Sequence, residues 1–390
     1  MRRTLKIGGA LLLAALAYLA LWPVPIEPVA WEAPVFAGYA GPHAVNDRLA
    51  GLTLVDVSPE IGPEHIDFGP DGKLYTGVLS GAILRMNPDG SQVEVVVNTG
   101  GRPLGFDFAA DGQLIVADAM KGLLAVGPDG SVAVLADRVD GDPIRYADAV
   151  VIASDGRMYL TDASRRFSPL ELGTFDAALL DILEASCTGR VLAYEPDSGL
   201  TSVVIDGLCF PNGVALSGDE RHLFIAETGA YRIWKVDLAA RGLDARSALA
   251  SGDARARVIA SNLPGFPDNL TRSADGRLWT GLTKPRAAAI DRMASKPWLR
   301  SLTLRLPKSL WPVPPTYGHV IAFDEDGRVV ADLQDPAGRL AETSGVTEHG
   351  GQLYIHSLHA PALGVLDAPA AGLPPAASPE DLEAMQGPGQ

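Results

Sequence analysis

Only two cysteines, Cys187 and Cys209, occur in 390 residues, too few for a thiol count to decide between a reducing and an oxidising compartment. Basic residues are also scarce, 32 against 47 acidic ones, and the net charge of −15 has no Lys/Arg stripe to offset it. Such a field repels phosphate backbones, so nucleic acid is not an expected partner. From Ile7 to Trp22 there is no charge at all, directly behind Arg2, Arg3 and Lys6. Basic residues before an apolar run hold that end in the cytoplasm and direct the downstream chain across the membrane. The run also lacks a small-x-small cleavage site before Pro23, which favours a retained signal anchor over a cleaved signal peptide. A core helix at this place has little reason to exist behind three basic residues. Residues 1–26 are therefore read as a transmembrane helix or signal anchor and 27–49 as a linker, with the remainder on the periplasmic or lumenal side.

What the chain does have is a repeat: a short strand, Asp-Gly or a variant of it, then a second strand. The copies read EHIDFGPDGKLYTG from Glu64, LGFDFAADGQLIVAD from Leu104, DAVVIASDGRMYLTD from Asp148, NGVALSGDERHLFIAE from Asn212 and DNLTRSADGRLWTG from Asp268. A degenerate sixth is TSGVTEHGGQLYIHS from Thr343. A third and usually a fourth apolar strand follow each copy. Four strands per repeat is the form of a propeller blade, so the fold class is all-β, a six-bladed β-propeller over residues 50–368. The sixth copy ends after three strands, at Ala362 to Leu366, and the orphan strand Gly51 to Val57 supplies its missing outer strand, closing the ring with both termini. Two stretches interrupt the pattern: Arg165 to Ser186, with helical spacing in FDAALLDILEA, and Lys284 to Thr316, rich in Pro, Arg and Trp. Both are expected as lids or rims of a pocket. Trp298, Trp311 and Tyr317 are expected to line it, and Trp234, Trp279, Tyr75 and Tyr159 to pack the blades. The Pro-, Ala- and Gly-dense tail, 369–390, reads as disordered.

The register carries the chemistry. Counting back seven positions from each turn residue gives Glu64, Leu104, Asp148, Asn212, Asp268 and Thr343, five of which carry a side-chain oxygen. In a propeller these strand starts ring one mouth of the central channel. Three carboxylates and an amide on one ring repel one another unless a cation neutralises them; a water-filled polar channel is the competing reading. Oxygen ligands with no Cys or His in register suit Ca2+ first, Mg2+ or Mn2+ second, and disfavour zinc. Asn269, one residue past Asp268, is a further candidate ligand. For the cysteines, the turn at Pro196 to Gly199 sets Cys187 opposite a position near 208, so a disulfide with Cys209 and two buried thiols both stay open.

Gly62-Pro63-Glu64, Gly101-Arg102-Pro103-Leu104-Gly105, MYLTDAS from Met158, FPNGVALS from Phe210, LPGFPDNL from Leu263 and GGQLYIHSL from Gly350 resemble the strictosidine-synthase-like proteins. These belong with the gluconolactonases and paraoxonases among six-bladed calcium-dependent propellers. The resemblance covers residues 50 to 367 and implies Glu64, Asn212 and Asp268 as metal ligands, with Asn269 as in paraoxonases. Departures matter too. Ala147-Asp148 replaces the usual Asn-Asp, His65 stands where relatives often carry Asp, Ser344 falls near the glutamate that plant strictosidine synthases use, and Leu104 near a paraoxonase histidine. A Pictet-Spengler condensation is therefore not expected. The resemblance implies a metal-dependent lactone or ester hydrolase of a small molecule with Asp268 as ligand and base. From the residues themselves, His65 and the pair His356 and His359 are candidate proton carriers, a packed or solvated histidine being the competing reading, and an apolar substrate is the expectation for a pocket lined by the insertion's aromatics. The alternative is a non-catalytic, membrane-tethered propeller that binds a partner.

Overall fold

Each Asp-Gly copy closes a hairpin between the two innermost strands of one blade. Asp71 and Gly72 do so between Ile66–Phe68 and Leu74–Gly77, Phe68 pairing with Leu74 and Gly72 taking φ +71°, a left-handed conformation that glycine adopts without steric cost. In blade 4 the same place falls to Glu220 at φ 51°, whose carboxylate accepts from Ser154 N and Oγ of the neighbouring blade. The computed structural model describes residues 2–373, and in it these hairpins extend into six antiparallel sheets.

The innermost strands, in blade order, are Ile66–Phe68, Pro103–Phe108, Ala147–Ile152, Pro211–Leu216, Gly265–Arg272 and Thr343–His349. Blade 3 gains a fifth, parallel strand, Leu243–Asp244. In blade 6 the outer strand is Thr53–Asp56, antiparallel to Ala362–Asp367 with Thr53 opposite Val365, the closure expected from the sequence. The core lies between blades. Trp234 is fully buried with Tyr159, Val191 and Leu223 between blades 3 and 4, and Trp279 with Leu333, Leu353 and Ile355 between blades 5 and 6. Truncating either tryptophan to alanine costs about 3–5 kcal/mol.

The N-terminal helix, Arg2–Leu21, meets the rest of the structure at its last turn, where Arg305 bonds Leu19 O and Trp22 O; residues Arg3–Leu21 have mean hydropathy 1.9 and none of that span is buried, so it is a candidate membrane anchor. The stretch read as a linker lies along the propeller. Leu49 is buried, Val29 N donates to Glu184 O at 2.8 Å and Leu49 N to Gln334 O at 3.0 Å. Its apolar side chains find interblade grooves, which a composition-based reading does not see. The expected tail corrects similarly: Ala371 and Leu373 are buried against blades 5 and 6, and Arg48 Nε donates to Ala371 O at 2.9 Å. Residues 374–390 of that expectation lie outside the described residues. The first insertion forms the helix Thr174–Glu184, and the second forms Ala288–Ala294 and Pro297–Arg305. Cys187, just past the first insertion, is joined to Cys209.

Candidate metal centre at the channel mouth

Regular pairing breaks at the start of five inner strands, and in four of them the ring position falls in the break, Thr343 being paired with Ser357. Pairing skips from Ala147–Asp162 to Val150–Leu160, from Pro211–Glu227 to Val214–Ile225 and from Pro267–Leu282 to Leu270–Thr280. A bulge re-aims side chains that a regular strand would alternate between faces. Asp268 and its neighbour Asn269 are thereby both buried at the centre rather than on opposite sides. Gly213 permits the crowding: a Cβ there would lie 2.1 Å from Leu270 N, on the adjacent blade.

Glu64, Asp148, Asn212, Asp268 and Asn269 are each 1–5% exposed. Asn212 Nδ2 donates to Asp268 Oδ2 at 3.1 Å, Asn269 N to Asp268 Oδ1 at 3.0 Å and Asn269 Nδ2 to Glu64 O at 2.9 Å. The donors are thus spent on one another or on backbone. What remains is acceptors: Asp148 Oδ1, Asn212 Oδ1 and Asn269 Oδ1 are buried without a partner. Burial pushes the Glu64 carboxyl up to about 7, with Arg102 pulling against it. Asp148 and Asp268 are held well above the usual carboxylate range, first by burial and then by the charge of Glu64. Three acids that cannot ionise together and three orphaned oxygens are the donor set of a hard cation, so the residues present fit calcium. Leu104, also on the ring, is apolar, and Thr343 Oγ1 donates to His319 O at 2.7 Å.

Arg102 and Tyr146 were not foreseen. Arg102 is buried with Nη2 3.3 Å from Glu64 Oε2 and 3.2 Å from Gly62 O, while its Nε and Nη1 have no partner. Tyr146 is buried beside Asp148, Glu64 and Asp268, and its hydroxyl donates to Thr174 O of the lid helix at 3.0 Å. Both precede a ring position by two residues, where the repeat says nothing about direction. Glu342 is likewise near Ser344, paired with His359 and Lys284, whereas Ser344 Oγ itself donates to Glu64 O at 2.6 Å.

His65 turns down the channel, 4.8 Å from the Phe106 ring and 5.7 Å from His356. Burial holds its pKa at about 4 and that of His356 well below the ordinary value, so both imidazoles are neutral. Below them a cavity of about 390 Å³, lined among others by Asp67, Thr271, Thr347 and His349, opens at the far end of the channel. The ring end is closed. Leu104, Tyr146 and Phe210 pack there against Phe167, Leu180 and Ile26. The first insertion is thus a lid, as expected, but the aromatic residues of the second do not line a pocket with it. Trp298 is 64% exposed, Trp311 Nε1 donates to Leu306 O and Tyr317 packs on Tyr39 and bonds Gln334. A separate polar cluster lies in the outer strands of blade 5, where Asp332 Oδ2 sits 2.7 Å from His43 Nδ1 and 3.0 Å from His319 Nε2.

Residues 41–86 match a family described as strictosidine synthase-like, N-terminal, and residues 70–296 match the SMP-30/gluconolactonase/LRE-like region. The adipocyte plasma membrane-associated protein of Salmo salar is 32% identical over 93% of this chain and 88% of its own length. Protein STRICTOSIDINE SYNTHASE-LIKE 7 of Arabidopsis thaliana is 32% identical over 81% of this chain and 82% of its own. Among solved structures, a gluconolactonase from Xanthomonas campestris superposes with TM-score 0.56 at 19% identity, covering 88% of this chain and 96% of that one. The calcium-binding protein regucalcin from Agrobacterium tumefaciens gives 0.54 at 15% identity, covering 80% and 92%. At these identities the structural likenesses carry the fold alone.

Proposed function

The chain belongs to the strictosidine synthase-like proteins of the SMP-30/gluconolactonase group, and from that premise we propose that its lidded ring is a calcium-dependent hydrolytic site for a lactone or ester. The observation that carries this reading is the convergence of Glu64, Asp148 and Asp268 with the unpartnered oxygens of Asn212 and Asn269. Calcium held by these five residues would supply polarisation of the substrate carbonyl. Asp268 is oriented by two donors, Asn212 Nδ2 and Asn269 N, and as a carboxylate would take the proton of an attacking water. Arg102 directs two unspent N–H groups into the same buried space, where they would stabilise a developing oxyanion. His65, neutral and with Nδ1 unpartnered, would relay a proton on the channel side without holding it. The lid of Phe167, Leu180 and Leu183 would exclude bulk water and favours a small, apolar acyl substrate.

Three basic residues ahead of the anchor and the Cys187–Cys209 bond together support a propeller on the extracytoplasmic side, where disulfides persist. A second reading, a tethered propeller that binds without turnover, is favoured by the deep burial of the ring under its lid. Hydrolysis of a lactone and aryl-ester panel, with and without chelator, separates the two. Chelator-sensitive turnover lost in Asp268→Ala is expected, and no such turnover with any substrate sinks the hydrolase.

A further inference from the structure

The two insertions present a surface at odds with the rest of this acidic chain. Residues 284–316 carry seven Lys or Arg against the single acid Asp291, in a protein of net charge −15. Asp291 is spent on Arg286, while Arg292, Lys296 and Lys308 are exposed. The helix Pro297–Arg305 is inverted for a soluble protein: it buries Arg300 and Thr303 and leaves Trp298 64% exposed. Leu310 at 64% and Val313 at 69% continue the apolar surface, and Leu170 at 70% and Phe175 at 54% extend it onto the lid. Lys308 Nζ, 3.6 Å from Asp176 Oδ1, joins the two insertions.

The position of this surface is fixed by one side chain. Arg305 Nε donates to Trp22 O at 2.7 Å and its Nη1 to Leu19 O at 3.1 Å. It therefore caps the last carbonyls of the N-terminal helix, the end where a cation is favoured and backbone acceptors lack intrahelical donors. A helix of 20 residues is about 30 Å long, the thickness of a bilayer's hydrocarbon core, so its last turn lies at the lipid–water boundary. Tyr18 and Trp22, their rings 5.4 Å apart, are the residue types that settle at that depth. Whatever holds Arg305 is held there too.

We infer that the rim formed by residues 169–175 and 297–313 rests on the bilayer that the N-terminal helix enters, with Trp298 at headgroup level and Arg292, Lys296 and Lys308 against anionic phospholipid headgroups. The inference takes the helix as the anchor and is independent of whether the ring is catalytic. A basic face with outward tryptophan and leucine is the composition that binds lipid interfaces, the basic residues drawing it to anionic headgroups. Because Leu304 and Ile26 join the lid cluster over Leu104, Tyr146 and Phe210, the ring end of the channel faces the membrane and the 390 Å³ cavity opens away from it.

The test uses the full chain in nanodiscs of phosphatidylcholine with brominated acyl chains, with or without phosphatidylglycerol, read by tryptophan fluorescence. Trp22→Phe reports the anchor and Trp298→Phe/Trp311→Phe the rim; neither rim residue is in the interblade core, and equal melting temperatures confirm folding. The rim variant is expected to lose at least one third of the wild-type quenching. Phosphatidylglycerol should deepen quenching in the wild type but not in Lys296→Glu/Lys308→Glu. Equal quenching of wild type and rim variant, with Trp22 still quenched, overturns the inference and leaves the anchor standing. Quenching indifferent to phosphatidylglycerol overturns the headgroup assignment, and rim tryptophans shielded by dimerisation without any lipid quenching assign the surface to a second copy instead.

Discussion

Asn212 Nδ2 donates to Asp268 Oδ2 at 3.1 Å, joining the inner strands of blades 4 and 5 across the channel and leaving Asn212 Oδ1 with no partner. The amide is oriented so that its acceptor, not its donor, is free. A cation bound there stabilises only the folded chain. Calcium at one hundred times its Kd should add about 2.7 kcal/mol, a rise of roughly 5 °C in melting temperature that chelator reverses. Asp268→Ala should show no calcium-dependent rise. Wild-type protein that melts identically in calcium and chelator would count against the site.

Arg102 forms the ion pair with Glu64, and both are 3% exposed. Breaking a buried pair by removing one partner costs about 3–5 kcal/mol because the other charge is stranded. Arg102→Met should therefore lower the melting point most in chelator, and saturating calcium should recover at least half the loss, since the ion takes over neutralisation of Glu64. An equal loss in both conditions would mean that Arg102 acts through packing alone.

Cys187 and Cys209 are 22 residues apart in sequence, and closing a loop of that length is worth about 3 kcal/mol by chain entropy. Denaturant titration of Cys187→Ser/Cys209→Ser should show a stability lower by roughly 2–4 kcal/mol. Alkylation of both thiols in unreduced, unfolded protein, detected by mass spectrometry, would contradict the bond.

Asp181, in the lid helix, is fully buried and accepts from Ser164 Oγ at 2.5 Å. Burial raises its pKa from 3.8 to about 7. Between those values the folded chain holds a proton that the unfolded chain has released. Its contribution is thus complete below about pH 4 and lost as pH rises through 7. With calcium present to fix the ring acids, Asp181→Asn should flatten the decline in melting temperature between about pH 4.5 and 8. Parallel pH profiles for variant and wild type would refute this.

Much of this architecture is legible in the chain because the blades share one spacing. Glu64, Asp148, Asn212 and Asp268 lie seven residues before their turns, and a hairpin of constant length carries that count into space. Asn269 depends on a bulge, which the count leaves one residue loose. Arg102, Tyr146 and Glu342 lie outside the counted strands, in connections whose direction depends on tertiary packing, so their convergence on the mouth has no sequence signal. The docking of residues 27–49 has no sequence signal for a related reason: two apolar side chains, Trp31 and Leu49, suffice to hold a stretch whose composition is that of a linker.

The pairing of Asp56 with Ala362 also sets a clock on biogenesis. No local contact can satisfy the strand Thr53–Asp56; its partner is made roughly three hundred residues later, which at about 5–20 residues per second is roughly 15–60 s. Throughout that interval the first-made strand waits with its hydrogen-bonding edge open. The last blade is therefore the slow step and the exposed one, and a chain truncated before Ala362 is left with an unsealed ring and an edge available to other chains.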